Sequence, residues 1–186
     1  MGGNGQNRMY FNAGAANPGF FSDVTASNIP SVSDNTTRVM TGDLNNDGRP
    51  DIFICNSGAK HIDLDNASGV LSDVSVTNWP TELQPYPYPL CGGNVGPLNS
   101  LSCELIDVDG DGDLDVIAGG SWTGNMSMRN RLFMNVGAAN FVDKTLQSMP
   151  WDEDNTQVIT KVNANADLKP DLFIGNCGQP RLYLNQ

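Results

Sequence analysis

Three short acidic segments carry the residues best suited to chemistry: DLNNDGRPD (Asp43 to Asp51), DVDGDGDLD (Asp107 to Asp115) and NANADLKPD (Asn163 to Asp171). Oxygen-bearing side chains stand at positions 1, 3, 5 and 9 of each. Alternating side chains converge on one point when the chain curls, and a glycine at position 6 permits the sharp turn. A hard cation such as Ca2+ needs six to eight such oxygens. The first segment offers Asp43, Asn45, Asp47, the Arg49 carbonyl and Asp51. The second offers Asp107, Asp109, Asp111, the Asp113 carbonyl and Asp115. The third offers Asn163, Asn165, Asp167, the Lys169 carbonyl and Asp171.

The pattern begins like an EF-hand and departs from it at position 12, which needs a bidentate Glu. Here position 12 is Ile54 or Ala118, inside an apolar run. The reading is therefore a calcium loop within a β-hairpin. The alternative is a solvated acidic turn. It is poorest for the second segment, where five carboxylates within nine residues repel one another without a counter-ion. In the third segment Leu168 replaces the glycine and only two carboxylates remain. Lower ligand charge lowers affinity, so the expected order is second, first, third, with two Ca2+ ions expected and the third site weak.

The elements that position these loops recur in a fixed order. NRMYFNAGAANPGFFSDVT (Asn7 to Thr25) matches NRLFMNVGAANFVDKT (Asn130 to Thr145), with decayed or partial copies at Lys60 and Pro180. A second marker follows each full copy: TASNIP, SVTNWP and TLQSMP. Successive acidic loops begin at Asp43, Asp107 and Asn163. Between the markers lie short runs rich in β-branched and apolar residues, with no helical stripe. About four short strands per repeat is the composition of a propeller blade. The predicted fold is all-β, with β-propeller-like repeats forming about three four-stranded blades. Residues 1–27 read as outer strands of a blade, 28–75 as blade 1, 76–145 as blade 2 with an insertion at 81–101, and 146–186 as blade 3 without its last strand.

The two motifs together, an acidic loop such as GDLNNDGRPDIFI and a strand pair such as NRLFMNVGAANFVDKT, resemble the FG-GAP/VCBS family of calcium-binding β-propeller repeats. The resemblance covers nearly the whole chain apart from the insertion and the first few residues. It implies extracellular or cell-surface propellers, commonly of seven blades, in adhesion, in ligand or carbohydrate recognition, or attached to enzymes. The chain departs from the pattern in its degenerate third loop, in HIDLDN at His61, and in its low blade count. Three blades leave open strand edges. Self-association of copies or membership of a larger propeller would close them, and self-association is the expectation.

Composition narrows the partners. The net charge of −11 and pI of 4.2 leave no basic face for nucleic acid. No run approaches a membrane span, and MGGNGQNRMY lacks the marks of a signal peptide. With one histidine, no nucleophile elbow and no phosphate loop, the chain reads as a binding module rather than an enzyme. The alternative is an accessory or catalytic fragment of a larger polysaccharide-processing enzyme.

Candidate ligand contacts are Trp122, Tyr86 and Tyr88. Trp122 fits a sugar-stacking platform or a packed aromatic; the tyrosines fit a recognition patch or a stiffened insertion. Trp79 and Trp151, in or beside the Pro marker, are expected in the inter-blade core. His61, where the repeats otherwise place Arg, is expected at the surface or an edge. Among the four cysteines, Cys91 and Cys103 flank a Gly/Pro-rich loop and are expected to pair in an oxidising compartment.

Overall fold

The computed structural model describes residues 4–80, 100–120, 129–152 and 154–186. The architecture is all-β and propeller-like. The first unit is the hairpin β2 (Tyr10–Asn12) and β3 (Phe21–Asp23). Blade 1 comprises β4 (Ser33–Gly42), β5 (Asp51–Asn56), β6 (His61–Asp65) and β7 (Leu71–Asp73). Blade 2 comprises β8 (Cys103–Ile106), β9 (Asp115–Ala118), β10 (Arg131–Asn135) and β11 (Phe141–Asp143). Blade 3 comprises β12 (Thr156–Val162), β13 (Asp171–Asn176) and β14 (Arg181–Tyr183). All pairings are antiparallel between sequence neighbours, as meandering blades require. β1 (Asn4–Gln6) instead joins the sheet of blade 1. It pairs with Ser33–Asn35, the part of β4 ahead of the stretch paired to β5.

Strand alternation gives each blade two faces, and the two apolar clusters lie between blades. Met40, Phe53, Cys55 and Ile62 of blade 1 meet Leu105, Val116, Phe133 and Phe141 of blade 2. Ile106, Ile117 and Leu132 of blade 2 meet Ile159, Leu172 and Ile174 of blade 3. The Pro markers supply plugs for both. Each marker is a one-turn helix: α1 (Thr25–Asn28), α2 (Ser75–Asn78) and α3 (Thr145–Ser148). The residue after the helix is extended, and Trp79 and Met149 pack on the first and second clusters respectively. Trp79 contacts Phe133 at 4.3 Å and Phe53 and Phe141 at 5.3 Å between ring centroids, so it lies in the inter-blade core.

A D-x-[ST] motif fixes each helix to its blade. Asp23, Asp73 and Asp143 accept from the backbone amides of Thr25, Ser75 and Thr145 at 3.0, 2.8 and 2.9 Å. The hydroxyl oxygens of those residues accept from the amides of Met9, Ile62 and Leu132. The fourth strand is thereby tied to the third.

Three expectations are corrected. Cys103 is bonded to Cys55, not to Cys91, which lies outside the described residues. Cys55 on β5 and Cys103 on β8 face each other across the first inter-blade cluster, Cα to Cα 6.0 Å, both fully buried. Trp151 is 61% exposed, with the Arg129 guanidinium 4.6 Å from its ring. It lies two residues after Met149, which takes the plug position. His61 is half-buried between two carboxylates rather than at a free surface.

Candidate metal centre

Each acidic loop joins the first two strands of a blade, β4 to β5, β8 to β9 and β12 to β13. The backbone curls in the same way three times. Position 4 has positive φ in Asn46, Gly110 and Ala166, and position 6 in Gly48, Gly112 and Leu168. Glycine is at ease there, and Leu168 holds a φ of 70° with its side chain 90% exposed.

In loop 2, Asp107 accepts from the amides of Gly110 and Gly112 at 2.8 and 3.1 Å. Asp109 and Asp111 accept from the amides two residues on. Oxygens of Asp107, Asp109 and Asp115 lie within 4.8 Å of one another, the spread one cation can span. Burial pushes the Asp115 carboxyl up to about 6, with Asp109 and Asp111 adding to the rise and amide bonds from Val108 and Asn135 opposing it. Crowded carboxylates, one of them buried, are a donor set that favours a hard divalent ion.

Loop 1 repeats the backbone pattern with a different charge arrangement. Asp43 accepts from the amides of Asp47 and Gly48 at 3.1 and 2.8 Å. Arg49 turns its guanidinium onto Asp47 and, at 3.3 Å, onto Asp65. That internal cation neutralises part of the loop. Burial raises the Asp51 carboxyl, against amide bonds from Asp65 and Leu44, with Asp47 and Asp43 adding to the rise. In loop 3, Asn165 donates to Asp167 at 2.8 Å, and Asp171 is held below the ordinary range by amide bonds from Ala164 and Asn185. No hydrogen bond of the Asn163 side chain is recorded among the described residues. Arg49, Asp113 and Lys169 stand at position 7, where the backbone carbonyl is the candidate donor.

Position 9 has a role the sequence pattern does not reveal. Asp51, Asp115 and Asp171 are fully buried. One oxygen of each accepts from the amide at loop position 2, Leu44, Val108 or Ala164, at 2.9, 2.9 and 2.7 Å. The other accepts from the amide at or just beyond the end of the third strand, Asp65, Asn135 or Asn185. These carboxylates latch loop to blade whether or not they also touch a cation.

The loops also reach the next blade. Asn135 of β10 donates to the Leu44 carbonyl in loop 1 at 2.8 Å, and Asn185 donates to the Val108 carbonyl in loop 2 at 2.6 Å. Asn46 of loop 1 hydrogen-bonds Asp113 of loop 2. The signal for this was the Asn closing each NRLFMN-type strand, whose amide can donate across the boundary. Trp122, Tyr86 and Tyr88 lie outside the described residues.

No helix among the described residues is long and apolar enough to cross a membrane. The comparison with curated proteins finds no match. Residues 1–54, which include the first unit, β4, loop 1 and the start of β5, match the family model of the FG-GAP-like repeat, which supports the FG-GAP family.

Proposed function

We propose that this chain is a calcium-stabilised interaction module of propeller type, in which the ion is structural and partner recognition belongs to the loops. The observation that carries the reading is the convergence of Asp107, Asp109 and Asp115 oxygens within 4.8 Å. An ion there would neutralise loop 2 and stiffen the segment whose Val108 carbonyl holds Asn185 of blade 3. The same ion logic extends to loop 1 and, more weakly, to loop 3.

The role is binding rather than catalysis, and the setting is extracellular. The buried Cys55–Cys103 bond supports that compartment, since such bonds persist where thiols are oxidised. Exposed Phe20, Phe21, Phe173 and Leu182 on the outer faces of the first unit and blade 3 support self-association. A glycan or a protein is the ligand class.

Thermal unfolding in Ca2+ against EDTA tests the metal reading. A ligand at ~100 times its Kd adds ~2.7 kcal/mol per site, so the melting temperature should fall clearly on chelation. An unchanged melt would overturn it. Glycan-array binding without turnover would support the module over the enzyme-fragment alternative.

A further inference from the structure

One position at the start of the third strand, or just ahead of it in the first unit, recurs in every unit, and in three of the four it is arginine. Arg8 pairs with Asp23 at 2.8 Å, Arg131 pairs with Asp143, and Arg181 pairs with Asp154. In each pair a permanent cation ties the third strand to a neighbouring strand or to the lead-in of the first. Blade 1 places His61 at this position. Its Nδ1 lies 3.2 Å from Asp73 Oδ2 on β7, and its Nε2 lies 3.3 Å from Asp34 Oδ2 on β4. Asp73 matches Asp23 and Asp143; Asp34, four residues after Pro30, matches Asp154, four residues after Pro150; and His61 faces both classes of partner at once.

Nδ1 is hydrogen-bonded to Asp73, whereas Nε2 makes a charge contact with Asp34 that is not a hydrogen bond. An imidazolium carries N–H on both nitrogens, whereas neutral imidazole carries one and presents a lone pair at the other. In the neutral form one of the two carboxylates faces a lone pair. That loss is felt at Asp34, whose Oδ2 is buried without a hydrogen-bond partner among the described residues, so that the imidazolium charge at 3.3 Å is what compensates it. A cavity of about 20 Å3 lined by Asn7, Ile29, Pro30, Asp34, His61 and Asp63 adjoins the pair. It lies where the lead-in to β4 crosses blade 1.

The charged groups facing the imidazole are Asp34 from β4, Asp63 from β6 and Asp73 from β7. β5 presents Ile54 opposite His61, and β1 carries no charge. Three acids therefore surround one titratable base. We propose that His61 is a proton-operated clasp: as imidazolium it holds the start of β4 to β7 through Asp34 and Asp73, and on losing its proton it releases Ser33–Asn35 together with β1, which pairs with those residues. Each of the three arginine pairs makes one arm of this clasp with a permanent cation.

Asp63 acts in the same direction. Burial and the charge of Asp73 push its carboxyl up to about 6, with His61 opposing and Asp34 adding to the rise. A carboxyl raised in the folded state stabilises it at low pH, and that stabilisation is lost as pH rises through about 6. Protonation of either group relieves the cluster.

Hydrogen exchange at constant Ca2+, corrected for the chemical rate, tests the clasp in the wild type, His61→Arg and His61→Gln. In the wild type, amides of Asn4–Gln6 and Ser33–Thr36 should exchange at least about fivefold faster at pH 8 than at pH 5.5, with the transition tracking the single imidazole resonance. His61→Arg should be protected at both pH values and His61→Gln open at both. Asp34→Asn, a second variant that leaves the β1 backbone pairing in place, should lose most of the pH response. Equal wild-type protection at both pH values would overturn the proposal. So would a wild-type pH response retained in full in His61→Arg or in Asp34→Asn.

Discussion

Asn135 Nδ2 donates to the Leu44 carbonyl at 2.8 Å, across the boundary between blades 1 and 2. Asn135 is buried, and its backbone amide is also held by Asp115 Oδ1 at 2.8 Å. One residue thus couples two acidic loops: it touches loop 1 with its side chain and loop 2 with its backbone. Asn135→Ala leaves the Leu44 carbonyl unpaired, which costs ~1–3 kcal/mol. Asn185→Ala removes the corresponding bond at a more exposed position and should cost less. Chemical denaturation of the two variants checks the order.

The disulfide between Cys55 and Cys103 closes a separation of 48 residues across the first inter-blade cluster. Constraint of the unfolded chain over that length predicts a loss of ~2–4 kcal/mol for the double variant Cys55→Ala/Cys103→Ala. Because both cysteines are fully buried, a mild reductant should act on the native protein only through opening. Mass-tagged thiol counting against time reads that rate.

Leu168 occupies the left-handed backbone position that glycine takes in loops 1 and 2. A left-handed non-glycine residue is strained by roughly 1–2 kcal/mol, offset in part by the greater freedom glycine has in the unfolded chain. Leu168→Gly should therefore be neutral to stabilising by up to ~1 kcal/mol, although the parent side chain is an apolar residue. Thermal melts in EDTA isolate this effect from metal binding.

In the absence of metal, Asp115, raised to about 6 by burial and by its acidic neighbours, makes stability depend on pH. A raised carboxyl favours the folded state at low pH, and that contribution is lost as pH rises through about 6. The EDTA-treated protein should melt higher at pH 5 than at pH 7.5. With excess Ca2+ the order should reverse, because ligation requires the deprotonated carboxylate. Carrying out both series in Asp63→Asn removes the contribution of the Asp63 carboxyl, which is raised to about the same value.

Periodicity makes much of this molecule legible in its sequence. The acidic loops, the strand-rich repeats and the placement of Trp79 between blades all follow from markers that recur in one order. What periodicity hid was pairwise. The Cys55–Cys103 bond joins residues of different blades, and nothing in local spacing favours it over a pairing across the nearby glycine-rich loop. Trp151 stands next to a marker proline, but the plug position belongs to the residue before that proline, so the side chain faces outward. The buried position-9 aspartates read as metal ligands in sequence, and their second role, both oxygens of each accepting from backbone amides, shows only in the structure. His61 reads as a decayed arginine until the two facing carboxylates are seen.

The proposed function rests on loop 2 binding a divalent cation that stabilises the fold. Calorimetric titration of Ca2+ into the chelator-stripped protein, wild type beside Asp109→Asn, tests it most directly. At least one saturable site is expected in the wild type, weakened about tenfold or more in Asp109→Asn, since affinity follows ligand charge. Binding unaltered by the substitution, or no binding in the wild type, would contradict it.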